Sequence, residues 1–217
     1  MTPTPHLSFG LLLTAAAGFA DVVGFIELGG HFVSFMSGNT TQLGDALLQS
    51  NWTAIILPAS LIALFFIGST LGALAAIAAG PRWAAATTTA IVLASLAMTV
   101  VLAAFGAPPD QFMLMLAAGA GAQNAILPST GSVRLGITFV TGTLFAAGQD
   151  LARAMRGLAP PWRWAQHLLV WASLLVGAIV GGLAYSFVGI YALLLPAALY
   201  LAFLIAFVVE PPSSVAL

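Results

Sequence analysis

Charged residues and cysteine are what this chain lacks. Only 5% of its 217 residues are Asp, Glu, Lys or Arg, whereas 61% are hydrophobic. Soluble proteins carry about a quarter charged residues, so the surface of this chain must be solvated by lipid. Its long apolar runs lack the alternation of a membrane β-barrel. The composition therefore predicts an all-α polytopic membrane protein.

The missing residue types also exclude several kinds of site. Without cysteine the chain has neither disulfides nor thiolate metal sites. Lysine is absent as well, and a net charge of −1 leaves no basic patch for nucleic acid. The sequence has no paired acids, no Ser/His pair and no group of histidines, since His6, His31 and His167 are scattered. We therefore expect no enzyme activity, no metal and no cofactor.

Apolar runs of about 20 residues can cross the hydrocarbon core of a bilayer. Two other segments, about 32–49 and 135–155, are shorter and richer in Ser, Thr, Asn, Gln and Gly. Breaks such as Gly80-Pro81-Arg82 separate the apolar runs. Six runs are long enough to span: about 7–29, 53–79, 83–105, 111–128, 164–185 and 188–209.

The arginines help to decide whether the two polar segments cross the membrane. If both segments dip in and return, the chain has six spans and all five arginines lie on the side of both termini. Arginine in short loops marks the cytoplasm, so both termini are expected to be cytoplasmic. The alternative is eight spans arranged as a 4+4 repeat, in which the arginine bias nearly vanishes. We expect six transmembrane helices plus two short re-entrant or broken polar helices.

A polar motif occurs twice in the chain. The stretch from Phe35 to Gly44 returns as the stretch from Phe139 to Gly148, and the region before Asp21 is similar to the region before Asn124. The sequence therefore predicts one membrane domain, 1–217, made of two repeats, about 7–105 and 111–209. Three spans per repeat would turn the second copy upside down, and such inverted repeats form sites at the membrane midplane.

Asp21 is the most informative single residue, because a charge inside an apolar span is costly unless it faces a partner or water. We expect it to bind a cation, take up a proton, or accept hydrogen bonds from Ser37, Asn39 or Thr40. A purely structural carboxylate is the alternative. The predicted substrate-binding or coupling residues are Asp21, Ser37, Asn39, Thr40, Gln123, Asn124, Thr141 and Thr143.

Glycines around these residues are predicted to break or pack helices. Gly38 and Gly142 lie inside the two motif copies, and Glu27 with His31 is a candidate gate at the end of the first span. His167 is interpreted as an interfacial residue. The predicted helix-break or packing glycines are Gly18, Gly38, Gly44, Gly121, Gly142 and Gly148.

These strings carry a family resemblance. The runs Gly18-Phe19-Ala20-Asp21, Met36-Ser37-Gly38-Asn39-Thr40, Gly121-Ala122-Gln123-Asn124 and Thr141-Gly142-Thr143-Leu144 resemble the YoaK-type family of bacterial integral membrane proteins of unknown function. The resemblance covers nearly the whole chain and implies a bacterial cell-membrane protein. It brings no substrate or reaction.

The two polar elements and the buried acid together favour a small-solute membrane transporter or permease. If transport is coupled to protons, Asp21 is the candidate coupling group. The alternative is a non-transporting membrane sensor or an assembly partner of another membrane complex. The expected partners are the lipid bilayer and an unknown small solute, with no nucleic acid, and the oligomeric state is left open.

Overall fold

The computed structural model describes residues 4–126 and 140–209, and within these ranges it is helical with no strand. The predicted all-helical fold is confirmed. Two short 3-10 turns, Gln123–Ala125 and Gly189–Leu193, follow α4 and α6. The helices are α1 (Thr4–Glu27), α2 (Met36–Leu48), α3 (Trp52–Ala104), α4 (Pro109–Ala122), α5 (Val140–Met155), α6 (Arg163–Val188) and α7 (Leu194–Val209).

Three stretches are long and apolar enough to cross a membrane: Leu7–Glu27, Trp52–Ala104 and Arg163–Val209. The second contains 53 residues, which would extend about 80 Å as one straight helix, far more than the roughly 30 Å of hydrocarbon. Gly80, with φ 73° and ψ 170°, interrupts the helical backbone there. It divides α3 into a first arm, residues 52–79, and a second arm, residues 81–104.

The outer surface of the bundle is apolar. Phe66, Ile77 and Phe187 are each at least 70% exposed, and soluble monomers rarely leave contiguous apolar surface of this kind in water. These side chains lie on the first arm of α3 and on α6, the same elements that are long enough to span. The chain is therefore a helical membrane protein with its apolar faces turned to lipid.

Glycines bring two pairs of helices into close contact. On α6, a Cβ added at Gly177 would overlap the carbonyl oxygen of Ala15 on α1. On the first arm of α3, a Cβ added at Gly68 would overlap the carbonyl oxygen of Ala118 on α4. Small residues allow this approach where helices associate in membranes. Thus α1 packs on α6, and α4 packs on the first arm of α3.

These two helix pairs have the same register of contacts. In each pair three glycines meet backbone of the facing helix. The matched residues of α1 and α4 are separated by one constant sequence offset, and those of the first arm of α3 and α6 by a second, slightly larger one. Gly80 and Gly189, where the two long helical stretches break with φ 73° and φ 59°, are separated by the same offset as Gly68 and Gly177. The matched contacts are Gly177–Ala15 with Gly68–Ala118, Gly181–Phe19 with Gly72–Ala122, and Gly18–Leu174 with Gly121–Phe65.

The remaining helices close the bundle around α1 and α4. Helix α7 packs on α3 and on α1, where Phe9 meets Phe203 edge to face at 5.3 Å between ring centroids. Helix α2 packs on α3, and α5 packs on α6. Thr14 of α1 and Ser34 of the linker before α2 are thereby buried inside the bundle.

Replacing Gly177 by Ala should destabilise the protein, because its Cβ would displace the backbone of α1. We expect the free energy of unfolding to fall by about 1–3 kcal/mol, as overpacked cores do. Gly148→Ala is the matched control, since nothing lies within 4 Å of a Cβ at Gly148. Denaturant titration of both variants in detergent measures the difference. Equal stability of the two variants would contradict the proposed close packing of α1 on α6.

Candidate functional site

Asp21 holds the linker that joins α1 to α2. Its Oδ1 accepts hydrogen bonds from the backbone N–H groups of Val33 and Ser34, both at 2.9 Å. Asp21 lies about two turns before the end of α1 at Glu27. After α1 ends, the linker therefore folds back along it. The donors are backbone amides, not the side chains of Ser37, Asn39 or Thr40 that the sequence analysis expected.

Helix α2 then runs back beside this linker. Asn39, which is fully buried, accepts from the N–H of Phe32 at 3.0 Å and donates to its carbonyl oxygen at 2.6 Å. Further along α2, Gln42 donates to the carbonyl oxygen of Gly30 at 2.9 Å. Because later residues of α2 pair with earlier residues of the linker, the two run in opposite directions. The end of α2 thus returns toward the end of α1.

Gly38 permits the tight turn of this hairpin. The rings of Phe32 and Phe35 meet edge to face at 5.2 Å between centroids. A Cβ at Gly38 would lie within 3.0 Å of atoms of both rings. Glycine is therefore required here for packing, in a part of α2 where no side chain caps the helix start. This gives the glycine of the first motif copy a specific structural role.

A cavity of about 260 Å³ opens beside Asp21. It is lined from one side by Asp21 and by the linker, and from the other by the first turns of α5 and by α6. The carboxylate is thereby brought into the same cavity as Thr141, which belongs to the second motif copy. The described lining residues are Asp21, Phe32, Ser34, Phe35, Val140, Thr141, Leu144, Trp171 and Leu174.

A second, smaller pocket lies in the centre of the bundle between α1, α4, α7 and the second arm of α3. Its volume of about 10 Å³ is near the lower limit for one water molecule. Gln123 lines this pocket and accepts a hydrogen bond from the hydroxyl of Tyr200. The Nε2 of Gln123 is buried without a partner among the described residues. Ser34 lines both the central pocket and the cavity at Asp21.

Other residues predicted for the site lie outside these two spaces. Ser37 and Thr40 are exposed, and the Thr40 hydroxyl donates to the carbonyl oxygen of Met36 at 2.8 Å. Thr143 is buried and donates to the carbonyl oxygen of Val140, while Asn124 donates to that of Ala120 at 3.2 Å. The structure therefore brings Asp21, Thr141 and Gln123 to the two spaces, together with Ser34, which the sequence analysis did not select.

The predicted glycines divide into two groups. Gly18 and Gly121 form helix contacts, and Gly38 packs against rings of the linker. By contrast, nothing lies within 4 Å of a Cβ at Gly44 or Gly148. Gly142 lies within the first turn of α5.

Glu27 and His31 do not form the pair that a gate would need. The Oε1 of Glu27 accepts a hydrogen bond from the hydroxyl of Tyr185 on α6 at 2.8 Å. The Nδ1 of His31 lies 3.1 Å from the carbonyl oxygen of Leu28, within its own loop. Each residue therefore fixes the end of α1, Glu27 to α6 and His31 to the backbone.

A buried ionic cluster that was not predicted from the sequence lies between α5 and α6. Arg163 donates to both carboxylate oxygens of Asp150, with Nε 2.7 Å from Oδ2. The Nε2 of His167 lies 3.3 Å from the same carboxylate. The Arg163 guanidinium lowers the pKa of the Asp150 carboxyl, so Asp150 remains ionised at neutral pH. The cluster fastens α5 to the start of α6, and it buries His167, which was interpreted as interfacial.

Within residues 4–126 and 140–209, no three His, Asp or Glu side chains come together as they would to hold a metal ion. The cavity at Asp21 offers one carboxylate and two hydroxyl groups, those of Ser34 and Thr141. Among the described lining residues, the Asp21 carboxyl is therefore the one ionisable group of the cavity.

Comparison with known proteins places these features in a family. The family model described as "Protein of unknown function (DUF1275)" matches residues 9–206. A UPF0700 transmembrane protein, RA0705 of Rhizobium meliloti (strain 1021), is 32% identical over 193 residues, which cover 87% of this chain and 82% of that protein. The UPF0700 transmembrane protein YoaK of Bacillus subtilis (strain 168) is 27% identical over 146 residues, 65% of each chain. No solved structure matches.

Substitutions at Asp21 should separate its structural contribution from its charge. Asp21→Ala leaves the N–H groups of Val33 and Ser34 without an acceptor, and we expect the free energy of unfolding to fall by about 2–4 kcal/mol. Asp21→Asn keeps a carbonyl oxygen for both donors and should lose less than about 1 kcal/mol. Thermal melting in detergent compares the two variants. If both melt together with the wild type, the carboxylate does not hold the linker.

Proposed function

We propose that this chain, which belongs to the DUF1275 family of proteins of unknown function, is a small-solute permease of the bacterial cytoplasmic membrane. The observation that supports this proposal is the cavity lined by Asp21 and by both motif copies. In membrane transporters, irregular backbone at membrane depth is tolerated where it lines such a cavity. The linker before α2 is irregular backbone of this kind.

We further propose six spans, with α2 and α5 as re-entrant elements and both termini in the cytoplasm. The spans are α1, the two arms of α3, α4, α6 and α7. The hairpin of the linker and α2 supports the first re-entrant element, because the pairing of Gln42 with Gly30 returns α2 toward the end of α1. With these six spans, every arginine of the sequence lies on the same side as the two termini, which supports a cytoplasmic location for both termini.

The same arrangement forms an inverted repeat in this proposal. The matched glycine contacts and the matched breaks at Gly80 and Gly189 are what support it. With three spans in each repeat, the second copy is inverted relative to the first. Each repeat then packs its first helix against the second helix of the other, α1 on α6 and α4 on the first arm of α3.

In this account a solute binds at Asp21 and moves past Ser34 to the central pocket. Ser34 stands between the two spaces, and the unpartnered Nε2 of Gln123 provides a hydrogen-bond donor in the second. The central pocket must widen for a solute larger than water to pass. Asp21 is the acidic residue of the described cavity lining, so coupling to protons would pass through it.

Cysteine labelling tests whether the cavity is an aqueous pathway, and the natural absence of cysteine gives each variant a single thiol. Thr141→Cys should react with a charged, membrane-impermeant methanethiosulfonate reagent, because Thr141 lines the cavity and is exposed. Thr143→Cys is the control and should not react, because Thr143 is 4% exposed and faces packed protein. If Thr141→Cys does not react with the reagent, the cavity is not an aqueous pathway.

A transport assay tests the role of Asp21. Liposomes holding the protein and a pH-sensitive dye would be given a pH gradient, and amines, amino acids and sugars would be added one at a time. We expect at least one solute to speed dissipation of the gradient, and Asp21→Asn to reduce that effect at least tenfold. Asp45→Asn is the control, because Asp45 is exposed and accepts a hydrogen bond from Gln49, the residue directly after α2.

Two results would count against this account. Equal proton flux in Asp21→Asn and in the wild type would show that Asp21 does not couple transport to protons. A wild type that moves no solute, while its Thr141→Cys variant remains unlabelled, would favour the non-transporting sensor or assembly partner, with Asp21 acting only through its bonds to the linker.

A further inference from the structure

We infer that the cavity at Asp21 binds a small organic cation, an alkylamine or a quaternary ammonium ion. The inference rests on the proposed permease function for its biological role, and it names the substrate class of that site. The charge, the lining and the size of the cavity support this assignment.

The charge of the cavity selects for a cation. Asp21 is the one ionisable side chain among its described lining residues. The hydrogen bonds that its Oδ1 accepts come from neutral backbone N–H groups, which bring no full positive charge to the carboxylate. A carboxylate inside a membrane protein needs a counter-charge, and within the described lining no Arg or His supplies it. A bound cation would supply this counter-charge.

The rest of the lining selects for an organic cation. Phe32, Phe35 and Trp171 place three aromatic rings around the cavity, and aromatic rings bind ammonium groups through cation–π attraction. The other apolar lining residues, Val140, Leu144 and Leu174, suit alkyl groups.

A hard metal ion fits the same lining poorly. Calcium takes six to eight oxygen ligands, and magnesium an octahedral shell of them. The described lining offers the oxygens of one carboxylate and of two hydroxyls, Ser34 and Thr141, with apolar groups elsewhere. An ammonium ion needs fewer oxygen contacts, because its alkyl groups are satisfied by the apolar and aromatic side chains.

The size of the cavity limits the ligand to a small molecule. A volume of about 260 Å³ is slightly below the range of pockets that bind drug-sized ligands. An ammonium ion carrying a few carbon atoms fits this space, whereas an extended polyamine or a peptide exceeds it.

Three compact probes of similar shape and different charge test this inference directly on the wild-type protein. Isothermal titration calorimetry in detergent would compare tetramethylammonium, which is positive, with tert-butanol, which is neutral, and pivalate, which is negative. We expect saturable binding of tetramethylammonium and at least tenfold weaker binding of the other two. Equal binding of tert-butanol, or tighter binding of pivalate, would overturn the cation site.

Variants then locate the binding. Asp21→Asn should weaken binding of tetramethylammonium at least tenfold, and Trp171→Leu should weaken it about three- to tenfold. Asp45→Asn removes the same charge from an exposed position and should leave binding unchanged. If Asp45→Asn weakened binding as much as Asp21→Asn, the effect would be one of overall charge and the assignment to this cavity would be wrong.

The binding experiment is independent of transport. Binding of tetramethylammonium by a protein that moves no solute would retain the cation site and refute the permease. Transport of a neutral solute by a protein that binds no ammonium ion would retain the permease and refute the cation site.

Discussion

The bond between the Asp21 carboxylate and the backbone N–H groups of Val33 and Ser34 is the constraint on which the rest of the site depends. Backbone amides at membrane depth must find acceptors inside the protein, because lipid supplies none. Asp21 supplies one for two consecutive amides and so permits a non-helical linker within the bundle. Once the linker is fixed, α2 can pair with it through Asn39, and the irregular backbone forms one wall of a cavity.

The two halves of the chain have equivalent glycine contacts between helices, but they differ in their polar interactions. Glycine contacts at equivalent positions set the approach of α1 to α6 and of α4 to α3. In the first half an intramembrane carboxylate holds a linker. In the second half Asn124 donates to the carbonyl oxygen of Ala120 on α4, and a different acid, Asp150, fastens α5 to α6 through Arg163. Among the described lining residues of the cavity, the one ionisable group, Asp21, therefore comes from the first half of the chain.

Much of the architecture could be predicted from the sequence, because segments that cross lipid must be long, apolar and helical. Apolar runs become helices, and the Gly80-Pro81 step breaks the longest of them, since Gly80 adopts a positive φ and proline has no N–H to donate. The hydrogen-bond donors to Asp21 could not be predicted, because every residue except proline has a backbone N–H and the sequence does not show which of them will donate. The Asp150 cluster was also missed. Arg163 was read only as a marker of the cytoplasmic side, and a carboxylate that will be buried is indistinguishable in sequence from one in a loop.

The proposed site requires α2 to turn back inside the membrane and to return to the face at which α1 ends. Leu48, at the end of α2, and Leu158, after α5, are both highly exposed leucines close to helix ends, so single-cysteine variants at the two positions form a matched pair. Labelling with a membrane-impermeant maleimide in intact spheroplasts is the most direct measurement. We expect Leu48→Cys to react from outside and Leu158→Cys to react only after the membrane is permeabilised. Reaction of both from the same face would mean that α2 crosses the bilayer and is not re-entrant.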